Sequence, residues 1–229
     1  LSPDGRWLAY LLNRGGFLVI GLRDRTTGEE RLLGEDLPAL HADLQFTPDS
    51  GSLVYRREQA TRDGDYHLLN LMDGSIRRLT DCMSGGVRSE DLIEPQLVEY
   101  QSFDRSIPAW FYRPQGEGPF PCVLSIHGGP QAQELAAYFH FYQYLLQAGI
   151  AILAPNIRGS SGYGKTYMRL IQRDWGGDEL RDIEAAANFL RSHPEVDSER
   201  IAVFGGSFGG FAVLSAVTRL PDLWRAAVD

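Results

Sequence analysis

The sequence predicts two parts of different fold class: an all-β first part built from repeated short strands, and an α/β second part whose mostly parallel sheet is covered by helices. Three observations carry this. Pro-Asp turns recur 45 residues apart, at Pro3 and Pro48, each followed by an apolar stretch ending in Tyr10 or Tyr55. Beyond about residue 96, strand-like and helix-like patterns alternate, as expected of parallel strands joined by crossover helices. Finally, the β-formers Ile201 to Phe204 run directly into Gly205-Gly206-Ser207-Phe208-Gly209 and then an apolar helical pattern.

Within residues 1–82, Leu1-Ser-Pro-Asp-Gly5 precedes Trp7 to Tyr10, and Phe46-Thr-Pro-Asp-Ser-Gly51 precedes Leu53 to Tyr55. Each unit continues through a strand-like run into a second turn, Thr27-Gly28 or Asp73-Gly74. Short strands and turns repeating at this length suggest about two β-propeller blades. A plain antiparallel meander is the alternative. Residues 83–95 are rich in glycine, serine and acids without apolar periodicity and read as a linker.

The third segment, 96–229, opens with strands at 97–103 and 107–112 and a Pro/Gly-rich loop at 113–121. The continuously apolar run 122–126 reads as a strand buried on both faces, and 150–154 as another. Helices are expected at 136–147 and 178–192. In the latter, Leu180, Ile183, Ala187 and Leu190 share one face, and Asp178 and Glu179 favour the N-terminus. A last helix should run from Ser207 to about Arg219. The chain starts without Met and stops at Asp229 in what reads as the next strand. Both ends read as cut from a longer protein, leaving an open sheet edge beside 201–204.

Net charge is −8 and the pI about 5.1, which argues against nucleic acid or an anionic membrane as partner. No apolar run is long enough to span a bilayer. Two cysteines, Cys82 and Cys122, supply no disulfide framework and point to a reducing, cytoplasmic location. His-Glu-x-x-His and Cys-x-x-Cys are absent, so no metal and no cofactor is expected.

The chemistry concentrates at Ser207. In Gly-x-Ser-x-Gly between strand and helix, the serine occupies a turn tight enough to strain its backbone and expose its hydroxyl. The phosphate-loop alternatives Gly-x-Gly-x-x-Gly and Gly-x-x-x-x-Gly-Lys do not fit the spacing. Attack on a carbonyl generates an oxyanion that needs donors. The backbone N–H of Phe208 is one. A second is expected from Gly129 in His127-Gly128-Gly129-Pro130, directly after the strand at 122–126. Gly128 and His127 are candidate site-lining residues, with a structural role for His127 equally open. In α/β-hydrolases the triad order is Ser, then Asp or Glu, then His. All five histidines, His41, His67, His127, His140 and His193, precede Ser207, so the triad is incomplete here.

Four motifs in order, His127-Gly-Gly-Pro130, Asn156-Ile-Arg-Gly-Ser-Ser-Gly-Tyr-Gly164, Asp174-Trp-Gly-Gly177 and Gly205-Gly-Ser-Phe-Gly-Gly210, resemble the prolyl oligopeptidase family of serine peptidases. Its acylaminoacyl-peptidase-like and dipeptidyl-peptidase-like branches are the nearest in kind. The likeness covers residues 94–229, with a weaker one to the family's propeller blades over 1–80. It implies an α/β-hydrolase fold, present from the start of its sheet through the nucleophile elbow, preceded by propeller-like blades. It also implies a serine peptidase cutting short peptides, with Ser207 as nucleophile, Gly129 and Phe208 as oxyanion donors, and the triad Asp and His beyond residue 229. Some branches carry a tyrosine at His127 and at Phe208; the second change leaves a backbone donor untouched. An esterase or lipase, and a non-catalytic propeller-bearing interaction protein, are the alternatives. The sequence leaves open whether the full-length protein is a homo-oligomer.

Overall fold

The structure, a computed structural model, describes residues 1–35, 38–83 and 85–229. Asp36 and Leu37, within the expected blades, and Ser84, within the expected linker, lie outside the described residues. The chain forms two compact units, Leu1–Leu92 with Leu135–Phe139, and Ile93–Glu134 with His140–Asp229.

The first unit is all β. Strands β1 (Trp7–Arg14), β2 (Phe17–Asp24) and β3 (Glu30–Leu33) form one antiparallel meander, and β4 (Leu40–Phe46), β5 (Ser52–Gln59), β6 (Arg62–Asn70) and β7 (Ile76–Arg78) form another. A single parallel bridge, Leu18 to Leu40, joins them. Alternation places Ile20 and Leu22 of β2, Leu53 and Tyr55 of β5 and Leu69 of β6 in one buried cluster.

The repeat is visible atom by atom. Ser2 Oγ donates to Asp4 at 2.6 Å and accepts from the Trp7 N–H at 2.8 Å. Thr47 Oγ1 donates to Asp49 at 2.6 Å and accepts from the Ser52 N–H at 3.0 Å. The second turns also correspond. Asp24 accepts from the Thr26 N–H and Asn70 from the Met72 N–H, both at 2.8 Å, while the Gly28 and Gly74 N–H groups donate back to carbonyls 24 and 70. Side chains that satisfy turn donors locally are why Pro-Asp and Asp/Asn sit at these places.

The second unit contains β8 (Gln96–Gln101), β9 (Ser106–Tyr112), β10 (Phe120–Ile126), α1 (His140–Gln147), β11 (Ala151–Pro155), α2 (Gly164–Arg169), α3 (Asp178–Ser192), β12 (Val196–Gly205), α4 (Phe208–Arg219) and β13 (Ala226–Val228). The sheet order is β13-β12-β10-β11-β9-β8. The β8–β9 hairpin joins β11 antiparallel; β11, β10, β12 and β13 run parallel. Ile107, Ala109 and Phe111 share a buried cluster with Leu124 and Ile126 and with Ile183 and Leu190 of α3 and Val213 of α4. The intervening residues face the other way: Tyr112 meets Tyr142 of α1 edge-on, and the Tyr142 hydroxyl donates to Ser125 at 2.7 Å. The sheet is covered on both faces, which explains the unbroken apolar run of β11.

Three expectations are corrected. The helix expected at 136–147 starts only at His140. The N–H of Tyr138 goes to the Glu58 carboxylate at 2.8 Å and that of Ala137 to the Leu135 carbonyl, so no helical turn forms there. The strand expected to reach Phe103 ends at Gln101, where Ser102 turns the chain by donating its N–H to the Arg105 carbonyl. The edge beside 201–204 is not open: Ala226, Ala227 and Val228 of β13 pair with Ala202, Val203 and Phe204.

Candidate active site

Ser207 stands between β12 and α4 at φ 58°, ψ −121°, a left-handed conformation that a residue with a Cβ adopts only under strain. Its side chain is exposed, whereas Phe208 and Gly209 beside it are buried. The strain is enforced by close packing of the turn. A Cβ on Gly209 would stand 2.1 Å from the Ile126 carbonyl oxygen, and one on Gly205 would stand 2.6 Å from the Gly209 carbonyl carbon. Strand and helix meet so closely that both flanking positions admit no side chain. Phe208 is the first residue of α4, where the N–H groups have no acceptor within the helix and carry the positive end of its dipole.

The His127–Pro130 turn lies against this serine. A Cβ on Gly128 would come 3.5 Å from Ser207 Cβ and 4.0 Å from its Oγ. Gly129 has φ 126°, and a Cβ there would also press to within 2.8–2.9 Å of the Gln131 and Ala132 amide nitrogens. The structure thus brings Ser207, Phe208, Gly128 and Gly129 together. His127 is in the same turn, but both ring nitrogens are engaged: Nδ1 lies 2.7 Å from the Gly128 carbonyl oxygen and Nε2 2.9 Å from Ser160 Oγ. Burial holds its pKa below the usual 6.5, with the Gly128 contact opposing. In the neutral ring, Nδ1–H donates to the Gly128 carbonyl, and Nε2 faces Ser160 Oγ, whose single proton also has the Ile157 carbonyl as an acceptor at 2.6 Å. Since the Gly128 carbonyl and Gly129 N–H belong to one planar peptide, this contact orients the N–H as well.

Among the described residues, Ser207 Oγ has no hydrogen-bond partner and no imidazole serves as its base. His193 packs between Phe111 and Phe189 and accepts from the Glu195 N–H through Nδ1. His41 and His67 belong to the first unit, where they flank Tyr55.

The segment 156–163 meets the turn through Ser160 and passes into α2 at Gly164. Arg158, 2% exposed, is its anchor. Nε and Nη2 donate to Asp182 at 2.9 and 2.7 Å and Nη2 also to Asp104 at 2.9 Å. Asp182 in turn accepts from Ser102 Oγ at 2.6 Å, so every charge in the cluster is paired. Arg105 and then Arg158 hold the Asp104 carboxyl down to about 2. Sequence reasoning placed Asn156 and Ser160 in a motif but gave them no role; Ser160 touches His127 of the turn, and Asn156 the Glu134 peptide groups beyond it. The signal available was their place immediately after the buried strand β11. It also missed Trp175, whose ring meets Phe208 edge-on at 5.0 Å. No group of three or more His, Cys, Asp or Glu side chains able to hold a metal occurs among the described residues.

A mostly parallel sheet covered on both faces, with a strained serine at a strand–helix turn beside a glycine loop, is the arrangement of an α/β-hydrolase region. Residues 137–229 match the profile described as the prolyl oligopeptidase family. The chain is 29% identical to an uncharacterized peptidase, YuxL, of Bacillus subtilis over 208 residues, 86% of this chain and 32% of that protein. It is 34% identical to dipeptidyl aminopeptidase BIII of Pseudoxanthomonas mexicana over 133 residues, 58% of this chain and 19% of that one. Among solved structures, the acylaminoacyl peptidase of Pyrococcus horikoshii aligns with TM-score 0.81 and 27% identity, covering 96% of this chain and 35% of its own. A puromycin-hydrolyzing peptidase of Mycobacterium tuberculosis aligns with TM-score 0.84 and 27% identity, covering 99% and 36%. The chain is similar to the prolyl oligopeptidase family over residues 137–229. It spans about a third or less of the length of these relatives.

Proposed function

We propose that the protein is a serine peptidase that cleaves short peptides by acyl transfer through Ser207. The observation that carries this is the exposed, strained Ser207 under the Gly128–Gly129 turn, at the N-terminus of α4. Ser207 Oγ attacks the scissile carbonyl, its proton passes to a base, and the oxyanion is received by the N–H groups of Gly129 and Phe208. The C–N bond then breaks as the same base returns the proton to the leaving amine, and water attacks the acyl-enzyme to release the acid. The base and its carboxylate partner are a His and an Asp outside residues 1–229. Gly128 and His127 line the site and shape the oxyanion turn rather than reacting.

The duplicated turn network of the first unit supports reading it as blades of a β-propeller. The names of the relatives, an aminopeptidase and an acylaminoacyl peptidase among them, support peptides as the substrate class. Two free thiols, Cys82 and Cys122, support a reducing, cytoplasmic setting. The test is labelling of the full-length protein with a fluorophosphonate, beside turnover of a peptide anilide and a simple ester. Wild type should label and S207A should not, with the anilide preferred. Labelling that persists in S207A, or turnover confined to the ester, would refute the reading.

A further inference from the structure

We propose that the segment 156–163 is a splint that fixes the oxyanion turn, with Asn156 and Ser160 as positioning residues for the Gly129 N–H. This rests on the peptidase reading of Ser207. The stretch 127–134 leaves β10 without regular secondary structure and contains two consecutive glycines, so its own backbone holds it poorly. A donor aimed at an oxyanion has to be held to within about half an ångström. The restraint comes from 156–163 at three places. Ser160 Oγ meets His127 Nε2 at 2.9 Å, at the beginning of the stretch. The Ser161 N–H donates to the Ala132 carbonyl at 2.8 Å, in the middle. Asn156 closes the end, accepting from the Glu134 N–H through Oδ1 at 2.7 Å and donating from Nδ2 to the Glu134 carbonyl at 3.0 Å.

Asn156 meets the Glu134 peptide groups as a neighbouring strand would, with one donor and one acceptor from a single side chain. The chemistry selects an amide: aspartate offers acceptors only and would set an anionic oxygen against the Glu134 carbonyl. Asn156 is fully buried, and its main chain is pinned on both sides. Its N–H donates to the Pro108 carbonyl at 2.8 Å, and its carbonyl accepts from the Tyr167 hydroxyl at 2.7 Å. Its remaining amide hydrogen goes to Tyr163 Oη at 3.0 Å. The splint is itself tied to α3 through Arg158 and Asp182.

The test compares full-length wild type, N156D and S160A in fluorophosphonate labelling rate at Ser207 and in kcat and KM on a peptide anilide. Displacing the donor without removing it should lower labelling and kcat roughly 10- to 100-fold in N156D and several-fold in S160A, with KM within about twofold. S160A keeps the proposal testable should N156D not fold. Wild-type rates in a folded variant, or a rise in KM at unchanged kcat, would overturn the splint while leaving the peptidase reading intact. A wild-type protein that fails to label at Ser207 would overturn that reading, and the splint with it.

Discussion

Replacing Gly209 with alanine should destabilise the protein, while the same change at Gly206, three residues earlier, should be nearly silent. A Cβ on Gly209 would lie 2.1 Å from the Ile126 carbonyl oxygen, 3.0 Å from its carbon and 3.3 Å from the His127 carbonyl oxygen. All three are main-chain atoms at the end of β10, where Ile126 is in register with Gly205 of β12, so none can retreat alone. An ordinary contact is about 3.5 Å, so helix and strand must separate by more than an ångström. Overpacking of this kind costs about 3 kcal/mol, the upper end of the usual range. Alanine's helix propensity returns at most about 1 kcal/mol. The net loss of about 2 kcal/mol corresponds to about 4–8 °C in Tm for a chain of this size. At Gly206 an added Cβ meets nothing within 4 Å. Thermal unfolding followed by circular dichroism measures both. A G209A protein as stable as wild type, or less affected than G206A, would refute the idea that close packing sets the turn.

Three further outcomes are expected. S207G should abolish labelling yet raise Tm by a few degrees, since glycine relieves backbone strain worth about 1–3 kcal/mol; an unchanged or lower Tm would count against strain at Ser207. D182A leaves the Arg158 guanidinium buried without its main partner and should cost about 3–5 kcal/mol in urea unfolding. R113A, which removes a half-exposed pair with Glu195, should cost under about 1 kcal/mol; equal losses would contradict the contrast. Burial pushes the Glu134 carboxyl from 4.5 up to about 7, with a hydrogen bond from Tyr142 opposing. The folded state therefore binds this proton more tightly than the unfolded one. The resulting stability is fully present below pH 4.5 and is lost as pH rises through 7, about 3 kcal/mol in all. The stability difference between wild type and E134Q should accordingly shift between pH 5 and pH 8 in favour of the variant; a constant difference would rule this out.

The α/β region and its elbow were legible because periodicity and local sterics agree there. The apolar stripe of α3 and the buried runs of β10 and β11 admit few alternatives. Gly205 and Gly209 announce a turn that tolerates no side chain. Local reasoning failed where a distant partner claimed the backbone. Tyr138 has a helical pattern behind it, but its N–H bonds to Glu58, 80 positions earlier. Asn156 and Ser160 read as members of a motif without a stated role, because nothing in their neighbourhood names Glu134 or His127 as partners.

By itself the sequence determined the strand–serine–helix turn, the glycine loop that precedes it, the duplicated Pro-Asp turns and the likeness to a family, since each depends on residues close together in the chain. Only the tertiary structure decided what His127 does. Its ring nitrogens are engaged by the Gly128 carbonyl and by Ser160 Oγ, and the second contact depends on packing against a segment more than 30 positions away.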